Sequence, residues 1–269
     1  SPLQPREIVR RIRANQSTIL LATDTFISQY ARIGNDGDMS SVRLAVCGAE
    51  RVKDETRALV RRKFEIEILE GYGATEASPV IAANKWEDNR PGTVGRLMSG
   101  MESKLLPVEG IEDGGRLHVR GPNIMMGYLR PSNPGMLERP EGGWHDTGDI
   151  VAIDESGIIR IMGRVKRFAK IGGEMVSLAV VENCAGAIWP DKLHAAVTLP
   201  DPRKGEQVIL LSDTKASNRE DILAWAKNHG VPELSVPKRV YHVDEIPVLG
   251  TGKIDYGAVQ KKVEALLND

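Results

Sequence analysis

The sequence has few cysteines, few aromatic residues and almost no net charge. Its 269 residues include two cysteines, Cys47 and Cys184, and aromatic side chains account for 4% of the chain. Two cysteines cannot form a disulfide framework, which favours reduced thiols in a cytosolic protein. Lys and Arg number 36 against 37 Asp and Glu, so no overall basic field indicates a nucleic-acid partner.

Long apolar runs are also missing. The longest, such as residues 19–22, are far shorter than the roughly 20 residues that span a bilayer. No charged segment followed by an apolar core indicates a signal peptide. At roughly 100–200 residues per domain, the length predicts one large domain or two smaller ones.

The first part of the chain predicts an α/β layer. Apolar residues at helical spacing predict helices over 5–14 and 53–64, and short apolar runs predict buried strands within 17–24, 42–48 and 66–69. Residues 70–79 are rich in turn-forming residues. Strands that alternate with helices at this spacing favour parallel pairing.

The composition changes after Asn84. Residues 91–165 are rich in glycine and proline and contain short β-like runs, with glycine turns expected at 112–116 and 154–158. This pattern predicts an antiparallel β subdomain. Beyond Arg164, a mixed set of helices and strands, among them a helix with its N-cap at Asn218, predicts a small α+β domain. We place the boundary near Lys166, which gives predicted domains 1–165 and 166–269.

Two segments of the first predicted domain carry groups suited to binding a ligand. In EGYGATEASP, residues 70–79, two glycines flank Tyr72, and Thr75 and Glu76 follow. A carboxylate oxygen suits Mg²⁺, which usually shares its ligands with substrate phosphates and water. In GWHDTGDI, residues 143–150, an acid after a glycine suits the hydroxyls of a sugar. A solvated glutamate in the first segment and local capping in the second are the simpler alternatives.

Two further segments carry cations beside glycines. Residues 163–177 combine four basic side chains with Gly172 and Gly173, and residues 247–255 place Lys253 after two glycines. Such cations can meet a phosphate or a developing oxyanion, and glycine loops can press against a ligand. The alternatives are a solvated basic hairpin and a surface lysine. Each of the four segments is weak evidence when taken alone.

Together, in this order and spacing, the four segments resemble the adenylate-forming superfamily, which includes acyl- and aryl-CoA synthetases, adenylation domains and luciferases. YGATE, HDTGD, GRVKRFAKIGGE and the terminal TGK are its signatures, and the resemblance covers essentially the whole chain. It implies a large nucleotide-binding domain with a parallel α/β layer and an antiparallel β subdomain. A small mobile α+β domain that carries the catalytic lysine follows it.

The resemblance also implies ATP and Mg²⁺ as cofactors and a role for each matching residue. Thr75 would contact phosphate, Glu76 would hold Mg²⁺, and Lys253 would bridge the carboxylate and the α-phosphate. Lys166 would be the hinge between the two domains. The residues implied to bind the nucleotide are Gly48, Ala49, Glu50, Gly71, Tyr72, Gly73, Asp149 and Arg164. Tyr72 would stack on adenine, and Gly172 and Gly173 would line a tunnel for the thiol.

Further segments, among them PGTVGR and GRVKRFAKIGGEMVS, resemble a bifunctional subgroup that joins an acyltransferase to an acyl-acyl-carrier-protein synthetase. Lys166 fits this subgroup, since many relatives have an acid there. The resemblance implies a long-chain fatty acid as substrate and the phosphopantetheine thiol of acyl carrier protein as acceptor, in recycling of 2-acyl-glycerophosphoethanolamine. CoA is the alternative acceptor. The basic residues around 163–170, together with Lys238 and Arg239, could dock an acidic carrier protein or meet the phosphates of CoA. The alternative of another class is a carrier-protein-binding module without catalysis.

One element of the superfamily and one of the subgroup are missing from the sequence. No TSGTTG-like phosphate loop occurs, and no histidine is followed at the required offset by an aspartate as an acyltransferase needs. The chain also begins with Ser1 and not with methionine. We therefore expect a C-terminal fragment of a larger enzyme, inactive by itself. We expect that enzyme on the cytoplasmic side, associated with the inner membrane.

Overall fold

The structure is a computed structural model that describes residues 2–249 and 253–268. The chain divides into two compact units. The first contains Ser1–Leu106, Gly114–Thr147 and Val151–Ile161. The second contains Pro107–Asp113, Gly148–Ile150 and Met162–Asp269.

The described residues contain six α-helices and sixteen strands. The helices are α1 (Pro5–Asn15), α2 (Asp24–Ile33), α3 (Asp54–Phe64), α4 (Leu178–Ile188), α5 (Arg219–Asn228) and α6 (Tyr256–Asn268). The strands up to the middle of the chain are β1 (Ile19–Ala22), β2 (Leu44–Cys47), β3 (Ile68–Gly73), β4 (Val80–Ala83), β5 (Arg96–Leu97), β6 (Glu102–Val108), β7 (Ile111–Arg120), β8 (Tyr128–Leu129) and β9 (Leu137–Glu138). The later strands are β10 (His145–Ile153), β11 (Ile159–Arg164), β12 (Phe168–Ile171), β13 (Glu174–Ser177), β14 (His194–Asp201), β15 (Gly205–Ser212) and β16 (Arg239–His242).

The predicted parallel α/β layer is present in the first unit. Strands β1, β2 and β3 pair in parallel, with Ile19 opposite Leu44 and Ala45 opposite Ile68. Helices α1 to α3 contribute Val9, Ile27, Val60 and other apolar side chains to a common buried cluster with the strands. Helix α2 was not predicted, although Thr23 caps it by accepting a hydrogen bond from the Phe26 amide. Thr23, the residue that marks the start of this helix, lies within residues 17–24, where the sequence predicted a strand.

Strand β3 corrects one prediction. The segment EGYG, which was expected to form a turn, continues the strand to Gly73 and pairs with β4 in antiparallel fashion. Strand β5 then adds to β4, so the sheet has the order β1-β2-β3-β4-β5. Pairing with β4 stabilises Gly71 and Gly73, which would disfavour an isolated strand.

The predicted antiparallel β region is a four-stranded sheet of order β11-β10-β7-β6. Here a second prediction is wrong, because residues 112–116 lie within β7 and do not form a turn. The turn falls earlier, at Glu109 and Gly110. The turn expected at 154–158 is present, where the Asp154 carboxylate accepts the Ile158 amide at 2.9 Å.

The second unit has the α+β character expected for the end of the chain. Its sheet has the order β13-β12-β15-β14, and β16 pairs in parallel with β15. Helices α4 and α5 pack in one buried cluster around Leu210, and α6 packs in another around Ile209. The predicted N-cap Asn218 accepts the Asp221 amide at 2.8 Å. Within residues 2–249 and 253–268, no helix has the length and apolar content needed to cross a bilayer.

Candidate functional site

Two of the predicted nucleotide-binding segments meet at one edge of the parallel sheet. Gly48 follows β2, and Gly71 lies near the end of the neighbouring strand β3. A side-chain carbon added to Gly48 would lie 3.3 Å from the Gly71 carbonyl oxygen. The carboxyl ends of parallel strands are where open α/β sheets bind ligands. The sheet therefore brings the Gly48 and Gly71 segments together at an edge suited to a ligand.

Glu50 is held by the start of α2. Its carboxylate accepts hydrogen bonds from the Thr25 amide at 3.1 Å and the Thr25 hydroxyl at 2.8 Å. An acid at the N-terminal end of a helix is stabilised by the unpaired amides there. Ala49, just before it, has the left-handed φ of 66°. The turn after β2 is thus fixed by a helix that the sequence did not reveal.

Tyr72 and Gly73 end strand β3. The Tyr72 side chain is buried in a cluster with Ile81, Leu117 and other apolar residues, so its stacking on adenine remains a prediction. A side-chain carbon on Gly73 would lie 2.2 Å from the Pro79 carbonyl oxygen. That close approach restricts position 73 to glycine and fixes the path of the loop that carries Thr75 and Glu76.

A buried carboxylate beneath this edge was missed by the sequence interpretation. The Glu70 carboxylate accepts hydrogen bonds from the Arg57 guanidinium at 2.8 Å, from the Gly92 amide at 2.8 Å and from the Val52 amide at 3.3 Å. The ion pair is buried, with side-chain exposures of 13% for Arg57 and 5% for Glu70. Its signal was a charged residue inside an otherwise apolar strand, which rarely occurs without a partner.

Thr75 and Glu76 lie on a short 3₁₀ helix, Thr75–Ala77. Thr75 is exposed and Glu76 is half-buried. The Tyr128 hydroxyl donates to Glu76 Oε1 at 2.6 Å, and the Met125 amide donates to the Glu76 carbonyl at 2.8 Å. This hydrogen bond to a carboxylate raises the pKa of Tyr128. Tyr128 therefore orients the predicted metal-binding carboxylate, a role that sequence analysis did not assign.

The protein groups around Glu76 fit an Mg²⁺ ion that takes one carboxylate from the protein and its other ligands from ATP and water. Among the described residues, no three His, Cys, Asp or Glu side chains are grouped to hold a metal ion. Mg²⁺ commonly uses one or two carboxylates together with substrate phosphates and water. Glu76, fixed by Tyr128, can supply the single carboxylate of such a site, with the phosphates of ATP supplying the rest.

The two residues expected to bind ribose lie together in the second unit. Arg164 Nε is 3.1 Å from Asp149 Oδ1. The Asp149 side chain is 7% exposed, whereas that of Arg164 is 71% exposed. A buried carboxylate with an arginine at its rim provides acceptors and donors for vicinal hydroxyls. The pairing supports their joint assignment, and their role in binding ribose remains a prediction.

The predicted hinge and thiol-tunnel residues are exposed. Lys166 lies in the short 3₁₀ helix Val165–Arg167. Gly172 and Gly173 connect β12 to β13 with φ values of 62° and 94°. Positive φ at both central residues is the requirement of a tight hairpin turn. The two glycines therefore have a structural reason to be there besides the predicted one.

Lys253, the predicted catalytic lysine, is exposed and belongs to the second unit. Val248 pairs with Ile254, and the Leu249 amide donates to the Lys253 carbonyl at 2.7 Å. We use the name Lys253 hairpin for these two paired arms alone, residues 247–249 and 253–255. Residues 250–252 lie outside the described residues. Thr75 and Glu76 belong to the first unit.

Several cations that the sequence offered for docking a carrier protein have local partners. Lys170 pairs with Glu109 at 2.8 Å, and Lys238 pairs with Asp201 at 2.6 Å. Arg167 is largely buried against Glu182. The structure therefore assigns local roles to these three cations of the expected docking set.

Comparison with known proteins shows which enzymes this chain resembles. A family model described as AMP-binding enzyme matches residues 1–129. Feruloyl-CoA synthase of Amycolatopsis is 28% identical over 276 residues, which cover 97% of this chain and 55% of that protein. The mitochondrial medium-chain acyl-CoA ligase ACSF2 of Mus musculus is 27% identical over 276 residues, covering 96% of this chain and 44% of that protein.

A solved structure matches the fold over the same span. The ATP-bound RpMatB-BxBclM chimera B3 superposes with a TM-score of 0.81 at 25% identity, covering 98% of this chain and 54% of that one. The chain thus spans about half the length of the curated relatives it matches. Over almost its whole length the chain is similar to AMP-binding, adenylate-forming enzymes, and residues 1–129 match the family model itself.

Proposed function

We propose that the protein containing this chain joins a carboxylic acid to a thiol through an acyl-adenylate made from ATP. The observation that carries this proposal is the convergence of the Gly48–Glu50 and Gly71–Glu76 segments at one edge of the parallel sheet. The carboxylate of Glu76 is fixed there by Tyr128. The named relatives, a feruloyl-CoA synthase and a medium-chain acyl-CoA ligase, support the same class of reaction.

The chemistry explains why the predicted residues are of these types. A carboxylate anion must attack the α-phosphate of a polyanion, so like charges oppose the reaction. Mg²⁺ bound at Glu76 would neutralise phosphate charge. The ammonium of Lys253 would attract both the carboxylate and the phosphate as charge develops. Loss of one such preorganised group typically costs about 3–4 kcal/mol of transition-state stabilisation.

The substrate and acceptor form the finer part of the proposal. We take a long-chain fatty acid as substrate and acyl carrier protein as acceptor, in recycling of phospholipid acyl chains on the cytoplasmic side of a membrane. The resemblance of the segment GRVKRFAKIGGEMVS to acyl-acyl-carrier-protein synthetases supports this choice. CoA is the alternative acceptor, and it is favoured by the two named relatives, which are CoA-dependent. The local pairing of Lys170 and Lys238 leaves fewer cations for an acidic carrier protein.

The experiment is a discharge assay on the full-length protein. A fatty acid, ATP and Mg²⁺ are supplied, acyl-adenylate and pyrophosphate are measured, and carrier protein and CoA are then added separately. Glu76→Gln should lower adenylate formation by about 10²–10³-fold. Glu87→Gln, which changes an exposed glutamate of the same unit, should not. Fatty-acid-dependent pyrophosphate release that is equal in both variants would contradict the proposed role of Glu76.

A further inference from the structure

A buried charged cluster in the second unit links three elements of its fold. Arg167 Nη2 lies 2.6 Å from Glu182 Oε1 on α4, and Arg167 Nη1 donates to the Ala196 carbonyl of β14 at 2.7 Å. The side chains of Arg167 and Glu182 are only 17% and 16% exposed. The Ala196 amide also donates to Glu182 Oε1 at 2.8 Å. We call Arg167, Glu182 and Tyr256 the anchor cluster.

Tyr256 joins this cluster through both its ring and its hydroxyl. The Arg167 guanidinium carbon lies 3.6 Å from the centre of the Tyr256 ring, a cation–π contact that desolvation strengthens. The Tyr256 hydroxyl donates to Glu182 Oε2 at 3.2 Å. Burial, together with the nearby Glu182 charge, raises the pKa of Tyr256 to about 12. The hydroxyl therefore stays protonated and able to donate at neutral pH.

The anchor cluster lies close in sequence to both the predicted hinge and the predicted catalytic lysine. Arg167 directly follows Lys166, the predicted hinge. Tyr256 is the first residue of α6 and stands three positions after Lys253. The base of the Lys253 hairpin is closed by two hydrogen bonds, from Leu249 amide to Lys253 carbonyl at 2.7 Å and from Asp255 amide to Pro247 carbonyl at 2.9 Å.

The start of α6 is fixed on its other side as well. The Asp255 carboxylate accepts the Ala258 amide at 3.0 Å, which caps the helix. Ile254 and Tyr256 pack against the buried cluster that contains Ile246 and Val259. The chain therefore has little freedom between Ile254 and the first turn of α6. A shift of Tyr256 would be passed to the Lys253 hairpin through this short segment.

We propose that Arg167, Glu182 and Tyr256 are positioning residues that fix the Lys253 hairpin to the segment following Lys166. The cluster makes the hairpin and the residue after the hinge parts of one rigid body. Lys253 would then keep a fixed position relative to Arg167. The consequence for catalysis rests on the proposed function, whereas the mechanical coupling does not.

Hydrogen exchange on the 269-residue protein tests the coupling, with Tyr256→Phe as the variant. This change removes only the hydroxyl that donates to Glu182 and keeps the ring over Arg167. Tyr241→Phe is the matched control, because its hydroxyl lies in the same unit and partners Arg239 at 3.2 Å, outside the cluster. Amide exchange by local opening reports the stability of each segment separately.

We expect the Leu249 and Asp255 amides to exchange about tenfold faster in Tyr256→Phe, as loss of a hydrogen bond to a charged group predicts. Core amides of β15 should be unchanged, and Tyr241→Phe should match the wild type. Unchanged exchange at the hairpin would overturn the proposal. Equal acceleration throughout the second unit would also overturn it, because the cluster would then serve general stability alone.

A kinetic measurement on the full-length protein tests the catalytic consequence. Tyr256→Phe should slow adenylate formation about tenfold while leaving thiol transfer from supplied acyl-adenylate unchanged, since only the first step uses Lys253 in the proposed function. Equal slowing of both steps would contradict a positioning role. If the wild type forms no adenylate, the proposed function fails, and the exchange result still decides whether the cluster holds the hairpin.

Discussion

Replacing Arg57 with methionine is expected to destabilise the first unit by about 3–5 kcal/mol. The guanidinium lies 2.8 Å from Glu70, and both side chains are largely buried. Methionine fills much of the arginine volume but leaves the carboxylate of Glu70 without its counter-charge. The Arg57 bond to the Ile68 carbonyl at 2.8 Å is lost as well.

We expect the destabilisation caused by Arg57→Met to lie at the lower end of this range, at about 3 kcal/mol. Glu70 keeps the amides of Gly92 and Val52 as donors, and Asn89 still donates to the Ile68 carbonyl at 3.2 Å. Those partners offset part of the cost of burying a charge. Because whole domains are stable by only about 5–15 kcal/mol, this loss would be a large share of the total.

The assay is urea denaturation followed by circular dichroism, with Arg61→Met as the matched control. Arg61 lies one turn further along α3 and pairs with Glu67 at 3.0 Å, but the two side chains are 72% and 38% exposed. An exposed pair contributes about 0–1 kcal/mol. Similar losses of unfolding free energy in the two variants would refute the assignment of Arg57 and Glu70 as a buried structural pair.

Three further predictions follow from the site and from the second unit. Tyr128→Phe should weaken Mg·ATP binding, measured by calorimetry on the full-length protein, by about 10–100-fold, because Glu76 loses the donor that orients it. Gly73→Ala should lower unfolding free energy by about 1–3 kcal/mol in urea denaturation, because its side-chain carbon would clash with the Pro79 carbonyl. Asp201, whose pKa is lowered to about 2 chiefly by the Lys238 hydrogen bond, should stabilise the protein above about pH 4. That contribution should vanish as the pH falls towards 2, so the melting temperatures of wild type and Asp201→Asn should converge there.

Matched variants separate these effects from general damage. Tyr30→Phe, which removes a hydroxyl bonded to the Pro2 carbonyl, should leave Mg·ATP affinity unchanged. Gly186→Ala on α4, where no atom lies within 4 Å of the added carbon, should be neutral or stabilising. Asp244→Asn, at an exposed carboxylate, should not reproduce the pH-dependent difference. A variant–control pair that behaves alike would contradict the corresponding prediction.

Local sequence signals predicted much of the fold. Helical apolar spacing predicted α1, where Val9 and Ile12 are buried. The Asn218 cap predicted the start of α5. Helix α2 was missed because its capping residue, Thr23, follows an apolar run that resembles the continuation of a strand. Strand assignment failed at Gly71 and Gly73, where pairing with the neighbouring strand overrides the weak strand preference of glycine.

In the candidate site, the sequence pointed to candidate residues and not to the contacts that hold them. Residue types and their order singled out Glu76, Asp149 and Arg164 as candidates. Asp149 and Arg164 lie 3.1 Å apart, and the roles of all three residues stay predictions. The contacts that hold these groups were not visible in the sequence. Tyr128 lies 52 positions from Glu76, and only the folded chain brings such distant residues together.

The most direct test of the proposed function uses Lys253→Ala in the full-length protein and measures its two half-reactions separately. Acyl-adenylate formation from fatty acid and ATP should fall by about 10²–10³-fold, because the ammonium acts where charge develops on the phosphate. Transfer of the acyl group from supplied acyl-adenylate to the thiol should proceed at the wild-type rate. Equal loss of both half-reactions, or normal adenylate formation without the lysine, would contradict the account.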